Sequence, residues 1–141
     1  GESRSCAVEA VRYGAHTDYQ GFTVLRMDPR QPGLEIEVDG TWHQINPDGS
    51  DALLINTGDL LQRWTNDRWT STMHRVSNPP KGSAAERNAR LSLVFFTGPR
   101  DDALIETLPS EVSSERPLRP GYAEPVVAGA HLQAKLAASN V

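Results

Sequence analysis

The sequence predicts a mainly β fold, a sandwich or barrel of short strands. Two observations carry that reading. Turn signals punctuate the first hundred positions: Arg30-Gln31-Pro32-Gly33, Asp39-Gly40, Asn46-Pro47-Asp48-Gly49, Asn78-Pro79-Pro80-Lys81-Gly82 and Gly98-Pro99. Gly, Pro, Asn and Asp supply the special dihedrals that tight turns need. The apolar runs between them, such as Leu53-Leu54-Ile55 and Leu93-Val94-Phe95-Phe96, are far shorter than the roughly 20 residues of a membrane-spanning helix.

Taken in order, the expected strands are Ala7–Tyr13, Phe22–Met27, Leu34–Val38, Thr41–Ile45, Ala52–Asn56, Ser71–Val76 and Arg90–Thr97. Leu34-Glu35-Ile36-Glu37-Val38 alternates strictly, so one face is buried and the other wet. Asp39-Gly40 then turns the chain into Thr41-Trp42-His43-Gln44-Ile45. The segment Gly58–Trp64 fits a short helix or a strand equally well. Residues 101–125 hold Pro109, Pro117, Pro120 and Pro125 and read as irregular surface chain. Residues 126–138 read as one short helix, docked by Leu132 and Leu136 at i, i+4. Phe22 and Phe95 are expected in the core, and Trp69 in the core or on a pocket wall.

With 141 residues the chain is one domain, of which residues 1–100 would be the core and 101–141 a wrap and closing helix. At 38% hydrophobic and 23% charged residues it is neither wholly disordered nor a membrane protein. The net charge of −4 offers no basic stripe, so nucleic acid is not an expected partner. The single cysteine, Cys6, forms no internal disulfide and excludes a cysteine-based zinc site. No charged-then-apolar leader opens the chain, so the expected location is the cytoplasm. Strand-like text begins almost at once, which reads as part of something longer. No phosphate-cradling glycine loop and no nucleophile elbow occurs.

The chemistry sits in Tyr13-Gly14-Ala15-His16-Thr17-Asp18-Tyr19. In a strand, i and i+2 share a face, so His16 and Asp18 present an imidazole beside a carboxylate. A second strand-like run, Thr72-Met73-His74-Arg75-Val76, carries His74. Alone, each of these is a surface pair or a satisfied histidine, which is how His43 and His131 read. Together, two neutral imidazoles and one carboxylate form the facial triad that holds ferrous iron and leaves positions open for a co-substrate and dioxygen. A third element, Arg90-Leu91-Ser92, sets a guanidinium fork beside a hydroxyl on one strand face. That is a receptor for a carboxylate. Arg63, Arg68 and Arg75 read as solvated or salt-bridged, and Asp101-Asp102 as a solvated face.

His16-Thr17-Asp18, His74-Arg75-Val76 and Arg90-x-Ser92, in this order and spacing, resemble the iron(II)/2-oxoglutarate-dependent dioxygenases, in the isopenicillin N synthase-like branch. Leu54-Ile55-Asn56-Thr57-Gly58-Asp59-Leu60-Leu61, Trp64-Thr65-Asn66-Asp67-Arg68-Trp69 and the late Val127–Leu136 stretch support the likeness. The resemblance implies a double-stranded β-helix, or jelly roll, with a short C-terminal helix. It implies Fe(II) on His16, Asp18 and His74, and 2-oxoglutarate with its distal carboxylate on Arg90 and Ser92. The implied reaction uses O2 to hydroxylate or desaturate a small organic substrate, with 2-oxoglutarate going to succinate and CO2. The family also carries an N-terminal helical part that these residues do not match. The tyrosine that contacts its co-substrate has no counterpart in Cys6–Arg12, nor an obvious one in Tyr13. Two alternatives remain open: an isopenicillin N synthase-like oxidase without 2-oxoglutarate, and a non-catalytic jelly-roll binding domain.

Overall fold

Hydrophobic alternation and turn chemistry generate nine strands in the computed structural model, which describes residues 11–46, 49 and 51–139. They are β1 (Val11–His16), β2 (Phe22–Met27), β3 (Leu34–Val38), β4 (Thr41–Gln44), β5 (Leu54–Thr57), β6 (His74–Ser77), β7 (Ser92–Phe96), β8 (Leu104–Ile105) and β9 (Val126–Val127). Two helices complete the set, α1 (Asp59–Trp64) and α2 (Ala128–Ser139). Every paired strand is antiparallel. One sheet runs β1-β6-β3-β4, a second β5-β2-β7, and β8 and β9 form a short third. The first two sheets face each other as the mainly β core that the sequence predicts and the jelly roll that the family resemblance implies.

The core follows from the period-two rule. Leu25 and Met27 of β2 and Leu34 of β3 are buried between the sheets, with Ile45, Leu54 and Val76 packed against them. The β3–β4 hairpin closes on Asp39 (φ 50°) and Gly40 (φ 76°), the paired left-handed conformation that a two-residue turn demands.

Several expectations change in detail. The first strand reaches three residues past Tyr13 to His16, because it pairs with β6 as far as His74. Its expected start at Ala7 lies outside the described residues. The sixth strand begins at His74 rather than Ser71, since the Ser71 N–H is taken by the Gln62 side chain (2.5 Å). Gly58–Trp64 resolves as helix α1. The expected helix over 126–138 instead opens with β9, where the β-branched pair Val126-Val127 joins β8, and only then becomes α2.

Phe95 (68% exposed) and Phe22 (43%) are not core residues. Alternation gives the interior face of β7 to Ser92, Val94 and Phe96, so Leu93 and Phe95 point out. They share an outer apolar face with Ile55 (64%) and Leu53 of β5 and its approach. Trp69, at 54% exposure, is not core either. The C-terminal helix is anchored by Ala128, fully buried with Leu60 and Ile105, rather than by Leu132 and Leu136.

Chain 101–125 is irregular, as expected, apart from β8 and two single 3-10 turns at Pro109–Glu111 and Pro120–Tyr122. One buried side chain pins it. Asn66, in the left-handed region at φ 49°, donates to the carbonyls of Glu111 (3.2 Å) and Pro117 (3.1 Å) and accepts from the Arg119 N–H (3.1 Å). Asn is among the few residues that tolerate that conformation.

Candidate metal centre

The triad is assembled by register. β1 and β6 pair so that His16 and His74 are directly opposite, with ring centroids 4.2 Å apart. Asp18 is not on the strand; β1 ends at His16 and the next two residues turn the carboxylate back toward the rings. One ligand atom from each of His16, Asp18 and His74 lies within 4.8 Å of the others. Asp18 Oδ1 stands 3.8 Å from His74 Nε2.

Each imidazole is oriented by its own backbone. His16 Nδ1 lies 2.8 Å from the Gly14 carbonyl and His74 Nδ1 2.9 Å from the Thr72 carbonyl. A carbonyl only accepts, so Nδ1 carries the hydrogen in both rings and Nε2 keeps its lone pair for a metal. Burial, opposed by the Gly14 carbonyl, holds the His16 pKa below the usual histidine value, which favours the neutral ligand form.

Asp18 is buried and fixed at both ends. Its Oδ2 accepts from Thr23 Oγ1 (2.5 Å) and Asn56 Nδ2 (2.6 Å). Its carbonyl accepts from the Asp59 N–H (2.8 Å), while Leu60 and Leu61 donate to the Gln20 carbonyl. The unsatisfied N–H groups at the start of α1 therefore hold the metal loop. Gly58 is required for that approach, because a Cβ there would sit 2.7 Å from the Gln20 carbonyl oxygen.

Arg90 and Ser92 line the same cavity as the triad, a space of about 370 Å³ whose other walls are mostly apolar, among them Leu25, Leu54 and Val94. Arg90 precedes β7 rather than lying in it. Its Nη1 donates to Ser92 Oγ (2.5 Å) and its Nε to the Gln31 carbonyl (3.2 Å). No carboxylate among the described residues forms an ion pair with it. Burial and then the neighbouring Arg12 guanidinium weigh against its charge, outweighing the Asp28 carboxylate that supports it, a burden that a bound anion would relieve. A second cavity of about 500 Å³ shares His16 and Asp18 and is walled by Tyr13, Tyr19, Phe96, Leu132 and Leu136. Leu132 and Leu136 thus face this space instead of docking the helix. Tyr13 stacks edge-on to His16 at 4.6 Å. Trp69 lines neither cavity.

All five sequence-predicted site residues therefore converge. His43 and His131 stay apart from the triad, and Arg75 pairs with Glu35 (2.6 Å) and Arg68 with Glu111 (3.2 Å). Arg63 caps the Gly121 and Glu124 carbonyls. Asp101 and Asp102 are exposed. Sequence reasoning assigned no site role to Thr23, nor to Asn56, which it placed only within the run that supports the family likeness. Thr23 carries no signal, being an ordinary strand former, but a strand-averse Asn ending the apolar run Leu53-Leu54-Ile55 was a legible one.

A profile of the 2OG-Fe(II) oxygenase superfamily matches residues 4–99. The chain is 39% identical over 94 residues to 1-aminocyclopropane-1-carboxylate oxidase 1 of Arabidopsis thaliana, covering 67% of this chain and 28% of that protein. It is 46% identical over 71 residues to the 2-oxoglutarate-dependent dioxygenase traH of Penicillium crustosum, covering 49% and 21%. Among solved structures, a full-length Neurospora crassa protein in complex with alpha-KG superposes with a TM-score of 0.78 at 33% identity, covering 92% of this chain and 38% of that one. The chain thus spans less than a third of these curated relatives' length.

Proposed function

Because this chain belongs to the 2OG-Fe(II) oxygenase superfamily, we propose that it carries the active site of a ferrous-iron and 2-oxoglutarate-dependent dioxygenase acting on a small organic molecule. We place it in the isopenicillin N synthase-like branch, which the likeness to the plant oxidase supports. The donor set fits the cofactor: two imidazoles and a carboxylate, with no thiolate among them, suit iron(II) and leave coordination positions open. His16, Asp18 and His74 would hold the metal, and Arg90 with Ser92 the distal carboxylate of 2-oxoglutarate. When bound, iron and co-substrate supply oxygen activation, with one oxygen atom passing to succinate as CO2 leaves and, in a hydroxylation, the other to the substrate.

The protein's own part is positional. The Gly14 and Thr72 carbonyls fix the rings so that Nε2 faces the site. The Arg90 fork, braced by Ser92 and the Gln31 carbonyl, sets where a carboxylate docks. Apolar walls keep that cavity drier than the surface, which strengthens the charge pairing within it. The second cavity, sharing His16 and Asp18, is where the prime substrate would approach. Residues 1–100 form the oxygenase core in this reading and residues 101–141 its wrap and closing helix. We keep the cytoplasm as its proposed location, as the sequence reading expects. Among the described residues, no helix is long and apolar enough to cross a membrane.

The observation that carries the proposal is the convergence on one cavity of the triad and Arg90, which has no carboxylate partner among the described residues. The test is iron-dependent conversion of 2-oxoglutarate to succinate by the intact protein. His74→Ala should abolish it, and Arg90→Ala should raise the 2-oxoglutarate requirement. Iron uptake without any heat of 2-oxoglutarate binding would instead favour an oxidase that draws its electrons elsewhere.

A further inference from the structure

Asp18 offers two carboxylate oxygens, and the fold treats them differently. Oδ1 is the oxygen turned toward His74, at 3.8 Å from Nε2. Oδ2 is held by two donors, Thr23 Oγ1 and Asn56 Nδ2, at 2.5 and 2.6 Å. These donors are not accidental neighbours. Thr23 and Asn56 are directly opposed partners in the β2–β5 ladder, so their side chains leave the same face of the sheet side by side. Thr23 is 4% exposed and Asp18 7%. Thr23 is buried and Asn56 half-buried, and short hydrogen bonds to a carboxylate are the strong kind.

We propose that Thr23 and Asn56 are positioning residues that restrict Asp18 to a one-oxygen grip on the metal. A carboxylate free to rotate about its Cβ–Cγ bond can present both oxygens to a cation. The second oxygen would then take a position that a chelating co-substrate needs. Rotation here breaks two charge-assisted hydrogen bonds, so Oδ2 stays on the sheet and only Oδ1 remains for metal. The backbone of Asp18 is secured separately, by the Asp59 N–H and Ser71 Oγ on its carbonyl. Cutting the clamp therefore frees the side chain and not the loop. The inference rests on the iron and 2-oxoglutarate reading given above, and deepens it.

The test uses Thr23→Val, Asn56→Leu and Thr23→Ser in the intact protein, with folding checked by circular dichroism. Manganese(II) affinity is measured by calorimetry. The charge-transfer band that 2-oxoglutarate raises on the iron(II)-loaded protein is titrated separately. Thr23→Val and Asn56→Leu should weaken metal binding about 10- to 100-fold, the usual effect of losing an outer partner of a ligand. At saturating iron they should also need about tenfold more 2-oxoglutarate for half the band, a loss of the same order. Thr23→Ser keeps the hydroxyl and should stay near the unsubstituted protein in both. Folded Val and Leu variants that match the unsubstituted protein in both titrations overturn the clamp, as does a Ser variant as impaired as Val. Failure of the unsubstituted protein to take up metal would overturn the iron reading itself, and the clamp with it.

Discussion

Arg90 shows how much one side chain can decide. Its guanidinium is half-buried, braced by Ser92 and the Gln31 carbonyl, and lacks a carboxylate partner among the described residues. A lysine would keep the charge but lose the fork. Arg90→Lys should therefore weaken 2-oxoglutarate binding about 10- to 100-fold, the range for losing a hydrogen bond to a charged group, while metal affinity stays unchanged; calorimetry on the iron-loaded protein reads both. His16 makes a pH prediction. Burial depresses its folded pKa below 6.5, outweighing the Gly14 carbonyl and Asp18, which pull the other way. Between that depressed value and 6.5 the unfolded chain binds the proton and the folded chain does not. Its contribution to stability is complete above pH 6.5 and declines as the pH falls below it. Denaturant titrations of the metal-free protein should show this slope, and His16→Gln should flatten it. At this scale the site was legible in the sequence, because His-x-Asp, the distal His and Arg-x-Ser each need a particular residue type. Asp18 illustrates the limit: spacing gave its partner but not its path, since it reaches the triad from a loop and not from the strand.

Between single residues and the whole lie the elements, and here Asn66 matters most. One amide at the end of α1 holds the irregular chain at Glu111 and Pro117 and receives the Arg119 N–H. Asn66→Ala removes these bonds and puts alanine, which has no polar side chain to tolerate it, in a left-handed conformation. We expect a loss of about 1–3 kcal/mol and faster proteolytic nicking between residues 105 and 120, with thermal melting and mass spectrometry as the readouts. The position of β3 was well read from alternation, because period two is set by backbone geometry alone, and that of β2 from the turn signals that bound it. Termini were not. Whether a residue such as Ser71 joins a ladder depends on a competing donor or acceptor that is remote in sequence, here the Gln62 side chain. The helix α1 was undecidable from its text, since its N–H groups are satisfied by the Asp18 and Gln20 carbonyls, contacts that local patterning cannot reveal.

For the whole molecule, the outer face of the β5-β2-β7 sheet has consequences. Ile55, Leu93 and Phe95 are each more than half exposed there, together with Leu53 and Phe22. Exposed apolar patches of this kind promote association. These 141 residues alone should scatter light in a concentration-dependent way, and the double change Ile55→Lys with Phe95→Lys should suppress it without altering metal affinity. Phenylalanine identity alone pointed to the core; only the demand of Arg90 and Ser92 for the inner face of β7 turns Phe95 outward. The pairing of His16 with His74 has its own global meaning. A cation gripped by both would act as a removable cross-link between distant stretches of chain, present only in the native arrangement. At a hundredfold excess over its dissociation constant such a ligand adds about 2.7 kcal/mol. Chelator treatment should then accelerate hydrogen exchange at the amides along that whole ladder, far beyond the three side chains that touch the ion.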